Sequence, residues 1–247
     1  MSNLVLILFN LLIAIFILDW RYQSIIKNST VMKKLFSIIS LAVAMYAINV
    51  VNAQGSIHAG YVQNNLISTY TVPVLNTTYY DTLTRPGAYV GFNYNIPLAG
   101  DKFGLTVGAS VEYYAKKDST ILYYRKFQQL DLVVPVYLNY SIPFGSNNTF
   151  TIFGGPTLGL GLMNKSTYTG RVTGAITENN YFDNQDATNE EYYRERFTWA
   201  LTGGVRFNFG GFGLHAGYTY GMSDNFSSAN TKGTSKRIFV GANINLN

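Results

Sequence analysis

The chain has 247 residues, no cysteine and two histidines, His58 and His215, which excludes disulfides and thiolate metal sites and leaves too few imidazoles for a histidine-rich metal centre. Its formal charge of +5 is uneven: residues 1–53 hold four basic residues (Arg21, Lys27, Lys33, Lys34) and one acidic (Asp19), so the 18 basic and 13 acidic residues of the chain become 14 and 12 beyond residue 53, a net +2. That balance gives no electrostatic footprint for nucleic-acid binding, and the richness in Tyr, Phe, Gly, Thr and Asn beyond residue 53 favours strands.

Leu4 to Leu18 is an almost continuous apolar run, broken only by Asn10 and closed by Asp19-Trp20-Arg21. It is barely long enough to span a bilayer. Residues 1–31 are expected to be either a start read too far upstream, with Met32 the true first residue, or a membrane anchor. Met32-Lys33-Lys34 then opens a short basic region, Leu35 to Val51 is apolar, and Val51-Asn52-Ala53 supplies the small residues that signal peptidase reads. Residues 32–53 are therefore expected to form a helical signal peptide cleaved between Ala53 and Gln54, leaving 54–247 as the mature domain.

Within that domain the apolar residues recur at every second position in eight segments, about 55–64, 86–97, 102–116, 127–142, 148–163, 195–209, 211–222 and 236–247. Period two marks strands with one apolar face. In the last of them Ile238, Val240, Ala242, Ile244 and Leu246 share a side opposite Phe239, Gly241, Asn243 and Asn245. Alternation alone fits either a soluble sheet or a barrel inverted in lipid. The connections decide: 65–85, 117–126, 164–194 and 223–235 are long, whereas 97–101, 143–147 and Gly210-Gly211 are short, and the two kinds alternate. Tight turns at one end and long loops at the other are the asymmetry of an outer-membrane barrel.

Aromatic placement gives the same answer. Phe103, Tyr140, Phe150, Phe207, Phe209 and Phe212 lie near the short turns, and Tyr113, Phe197, Trp199, Tyr218 and Tyr220 near the long loops, with aliphatics between. Two such belts match the headgroup levels of a bilayer. The expected fold is all-β, an eight-stranded antiparallel up-and-down transmembrane barrel whose last strand pairs with the first near Ile57 to Tyr61 and hides both edges.

An eight-stranded barrel is just wide enough for side chains to fill. Glycines at 87, 91, 104, 108, 155, 159, 161, 213 and 217 fall on the inward face and leave room for longer neighbours. Glu112, Asp131, Arg196, Arg206 and His215 also fall inward, and buried charges need partners, so these five are expected to form a luminal polar network. An ion or proton pathway is the sharper alternative. A nucleophile set of Ser110, His215 and Glu112 would require all three to converge at one level, and the lone inward histidine reads more simply as a hydrogen-bonded filler. The loop 164–194 combines Glu178, Asp183, Asp186, Glu190 and Glu191 with Tyr181, Phe182, Tyr192 and Tyr193. Its Asp183-Asn184-Gln185-Asp186 stretch lacks the glycine and terminal glutamate of a calcium loop, so no metal and no cofactor is expected.

Leu130-Asp131-Leu132-Val133-Val134-Pro135-Val136-Tyr137-Leu138-Asn139-Tyr140, Phe153-Gly154-Gly155-Pro156-Thr157-Leu158-Gly159 and Gly213-Leu214-His215-Ala216-Gly217-Tyr218-Thr219-Tyr220-Gly221-Met222 resemble successive strands of the small outer-membrane β-barrel domain family, which includes PorT-like proteins. The resemblance implies an OmpA/OmpX-like barrel of a Gram-negative outer membrane, with long loops extracellular and both mature termini periplasmic. Gly241, Ile244 and Leu246 keep the spacing read by the barrel-assembly machinery, although Leu246-Asn247 stands where such barrels close on an aromatic. The expected function is a structural or surface-interaction role in contact with outer-membrane lipid and an extracellular ligand, without enzyme activity. The PorT-like resemblance implies, as the alternative, an accessory role in secretion with a secretion-complex partner. A narrow pore or a lipid-modifying enzyme comes after both.

Overall fold

A computed structural model describes residues 54–72, 77–99, 102–182, 194–226 and 231–246. The expectations for residues 1–31 and for the signal peptide up to Ala53 lie outside the described residues. Nine antiparallel strands account for nearly all of the described chain: β1 (Gln54–Val72), β2 (Thr77–Ala99), β3 (Phe103–Ser119), β4 (Tyr123–Phe144), β5 (Asn148–Gly170), β6 (Ile176–Asn180), β7 (Phe197–Phe209), β8 (Phe212–Gly221) and β9 (Thr231–Leu246). Eight of them close a ring in the order β1-β2-β3-β4-β5-β7-β8-β9, with β9 returning to β1 from Gly55↔Leu246 to Tyr70↔Thr231. The predicted seam is present, with Ile57 opposite Ile244 and Tyr61 opposite Val240. No sheet edge is left along this ring, as backbone groups in hydrocarbon require.

The ninth strand was not expected. β5 pairs with β7 as far as Leu160, then offers Lys165 to Thr169 to β6 instead. A bulge helps to re-aim it: Leu130 pairs with Met163 but Asp131 with Gly161, so Leu162 is extra and the inward phase moves to Asn164 and Ser166.

The structure also corrects the expected long loops. β1 and β2 stay paired up to Val72↔Thr77, and β3 and β4 up to Ser119↔Tyr124, so most of 65–85 and of 117–126 is ladder rather than loop. These stretches keep β-branched and aromatic residues but place polar groups on both faces, for instance Ser68-Thr69 opposite Tyr80-Asp81. Period two disappears while the backbone continues as strand. These two connections are tall hairpins.

Along the ring, outward residues form one apolar band. On β8 Phe212, Leu214, Tyr218 and Tyr220 are exposed while Gly213, His215 and Thr219 are buried. β7 repeats the pattern with Trp199, Leu201, Val205, Phe207 and Phe209 outside and Ala200 and Thr202 inside. Among the described residues no helix is long and apolar enough to cross a membrane. Gly145 (φ 67°) and Gly210 (φ 60°) occupy the left-handed region in two of the short turns, where a β-carbon would be strained.

Candidate functional site: the barrel lumen

The lumen is built by the strand alternation, which sends every second side chain inside. At mid-height the charged pair is Glu112 on β3 and Arg237 on β9, whose Nη1 donates to Oε2 at 2.7 Å. Both side chains are largely buried, and the Tyr114 hydroxyl donates to the same oxygen. Strands β1 and β2 separate the partners along the wall, so the bond crosses the interior. Cavities of about 50 and 60 Å³ lie beside it among the described residues, with Arg237 and Val133 lining both.

The cavity towards the short turns holds His58, His215, Tyr89 and Arg206. Tyr89 on β2 and His215 on β8 flank the closing seam, where Gly60 faces Gly241. With no side chains on those two residues, the Tyr89 hydroxyl reaches His215 Nε2 at 2.6 Å. His58 meets Asn93 at 3.1 Å, and the Arg206 guanidinium lies 5.6 Å over Phe153. A ladder of hydroxyls crosses four neighbouring strands, Tyr137–Thr157 at 3.3 Å, Thr157–Thr202 at 2.8 Å and Thr202–Thr219 at 2.9 Å.

The cavity towards the tall hairpins is lined by Arg194, Arg196 and Arg237 together with the carboxylates Asp131 and Glu195, and by Gln129, which links it to the buried Arg85. Arg85 Nη1 donates to Gln129 Oε1 at 2.6 Å, and Gln129 Nε2 donates to Asp131 Oδ2 at 2.6 Å. Arg85 is 1 % exposed and stacks 3.9 Å over Phe127. Arg125 donates to Ser166 and to the Tyr181 hydroxyl. Arg194, bridged by its backbone to Phe226, lies 5.1 Å over that ring, and Arg196 lies 4.7 Å over Phe182. Burial lowers the Arg194 guanidinium to about 10. Burial also opposes ionisation of Tyr181, but hydrogen bonds with Ser166 and Tyr168 and the charges of Arg125 and Arg194 outweigh it and hold that hydroxyl below its usual range.

Of the five residues singled out in the sequence, Glu112 and Asp131 are register partners on β3 and β4, and Arg206 and His215 on β7 and β8. Arg196 stands apart, at the tall-hairpin cavity. Their strongest bonds go to other residues: Glu112 to Arg237 and Tyr114, Asp131 to Gln129, His215 to Tyr89. Parity would have found Arg237, which shares the inward face with Phe239 and Gly241. Arg85, Arg125 and Arg194 fell in the expected loops and carried no strand signal. Ser110, Glu112 and His215 do line one cavity, but their hydrogen bonds do not form a relay. Among the described residues no group of three or more acidic or imidazole side chains could hold a metal ion.

Residues 51–227 match the family model described as "Outer membrane protein beta-barrel domain". No curated protein matches the chain. Among solved structures it is similar to Ail, the attachment invasion locus protein of Yersinia pestis, at 14% identity and a TM-score of 0.45, covering 79% of this chain and 100% of that one. It is similar to neisserial surface protein A at 12% identity and a TM-score of 0.43, covering 78% and 98%. The N-terminal β-barrel domain of Pseudomonas aeruginosa OprF follows at 10% identity and a TM-score of 0.28, covering 79% and 100%. A closed eight-stranded ring, an outward apolar band and a family model spanning most of the chain agree: the chain belongs to the outer membrane protein β-barrel domain family and is an integral outer-membrane protein.

Proposed function

We propose that the protein is a surface-interaction protein that projects its tall hairpins outside the cell and keeps both ends of the mature chain in the periplasm. The observation that carries this reading is what the hairpin tips expose. Ile121 and Leu122 at the β3–β4 tip are 89% and 70% exposed, and Val172 beyond β5 is 90% exposed. The two tips are joined, since the Arg171 amide donates to the Leu122 carbonyl at 3.0 Å and its guanidinium covers Tyr124. Tyr80 on β2 is also strongly exposed. Apolar groups presented at the turns of paired strands, beyond the lipid band, are suited to contact a partner surface.

The lumen supports a structural role rather than chemistry. His215 is engaged by Tyr89, and Glu112 by Arg237 and Tyr114, so Ser110, His215 and Glu112 make no relay. We assign the protein no enzyme activity.

Two measurements test the proposal. An epitope inserted at Gly174 is expected to bind antibody on intact cells, and one inserted at Gly145 only after permeabilisation; the opposite labelling contradicts the orientation. Cells carrying the protein are expected to attach to polystyrene, and the combined variant Ile121→Ser, Leu122→Ser and Val172→Ser to lose most of that attachment at equal surface level. Undiminished attachment contradicts the assignment of the tips.

A further inference from the structure

On the outward face of β3 and β4 the apolar band ends at Tyr113 and Leu130, which are register partners. The Tyr113 hydroxyl accepts from Gln128 Nε2 at 2.7 Å, so its polar end marks the wet edge of the band. Above that edge strand alternation gathers three lysines on the same face. Lys117 and Lys126 are exposed and stand directly opposite each other in register. Lys165 on β5 is the partner of Gln128, which makes it the diagonal neighbour of Lys126, and the bulge at Leu162 turns it outward while Asn164 and Ser166 are buried. Like charges set opposite one another destabilise a ladder. None of the three ammonium groups has an ion pair or hydrogen bond among the described residues, where the two salt bridges join Lys116 to Asp118 and Arg237 to Glu112. The described carboxylate beside them on this face is Glu178 on β6, which accepts from the Thr167 hydroxyl at 3.4 Å rather than from a lysine. Three cations therefore stand against one carboxylate.

We propose that Lys117, Lys126 and Lys165 form a binding site for the anionic, phosphorylated headgroup of a membrane lipid, in the leaflet on the tall-hairpin side. The occupant follows from continuity with the lipid-facing band. An acyl chain packed along Val111 and Leu132, themselves register partners, ends at the rung of Tyr113 and Leu130, and the headgroup above it meets the lysines. Their long apolar stems let the ammonium groups reach down the wall towards that headgroup. Each ammonium donates to phosphate oxygens as a point charge, and a phosphate between them relieves the repulsion of Lys117 and Lys126. The assignment rests on the barrel and its lipid band, and is independent of what the hairpin tips contact.

The test follows the folded form on a heat-shift gel as temperature rises, with the barrel in phosphatidylcholine vesicles that contain either diphosphoryl lipid A or lipid A stripped of its phosphates. The phosphorylated lipid is expected to raise the unfolding midpoint by about 6 °C. The combined variant Lys117→Gln, Lys126→Gln and Lys165→Gln should lose most of that rise, and Lys102→Gln, at the short-turn end, should keep it. With the stripped lipid the combined variant should unfold no earlier than the wild type, because it removes opposed charges. Lys126→Gln alone, set between the other two, serves if the combined variant does not fold. Equal wild-type midpoints in the two lipids, or an undiminished rise in the combined variant, overturns the site. So does a rise lost as fully in Lys102→Gln, or earlier unfolding of the combined variant in the stripped lipid.

Discussion

Arg237→Met is expected to destabilise the folded barrel by about 3–5 kcal/mol, because it strands the Glu112 carboxylate inside the lumen. The residual Tyr114 hydroxyl is one neutral donor and does not replace a guanidinium. Asp131 makes the loss worse. It faces Glu112 directly across β3 and β4, so two carboxylates then share one level with no cation bonded to either. The double variant Glu112→Gln, Arg237→Met removes the stranded charge and should recover most of the loss, since replacing both members of a buried pair is often close to neutral. Urea unfolding in lipid vesicles, followed by fluorescence of Trp199, measures both. Equal stability of the single and double variants would show that the ion pair does not carry the interior.

Gly241→Val is expected to block closure of the ring. A β-carbon on Gly241 would overlap the Tyr89 hydroxyl and the Ala59 carbonyl, and one on Gly60 would lie 2.6 Å from the Gly241 Cα. One obstacle, the Ala59 carbonyl, is backbone, which cannot rotate away. The second is the hydroxyl that bonds His215 across the seam, so the substitution also separates β2 from β8. Overpacking of this kind costs about 3 kcal/mol, and here it falls on the joint between the first and last strands. The expected outcome is a large drop in folded protein recovered from outer membranes. Gly203→Ala is the control: Gly203 points outward and a β-carbon there meets only the Phe153 carbonyl, at 3.9 Å. That variant should fold like the wild type, and equal yields for all three proteins would contradict the role given to the glycine seam.

The barrel was legible because lipid imposes a demand on every second residue. Ile238 to Leu246 announces its outward face without any partner being known, and the eight periodic runs lie within the eight ring strands or overshoot them by a residue or two. The hairpin extensions were illegible for the converse reason. Above the apolar band polar residues stand on both faces, so Ile67 to Thr69 and Thr77 to Thr84 carry no hydrophobic alternation although they pair residue for residue. β6 was hidden further by the bulge at Leu162, which breaks the phase just before its partner segment. In the lumen, parity names which side chains point inward but not which meet across the interior. Glu112 was readable from β3 alone, whereas its bond to Arg237 depends on barrel width and on the small residues between them.

Outer-membrane fractionation with a heat-modifiability gel tests the central claim most directly. A closed, lipid-embedded barrel predicts that the protein sediments with outer membranes and migrates in its unheated, folded form apart from the boiled form. A water-soluble protein with identical mobility before and after boiling would contradict both the barrel and its place in the membrane.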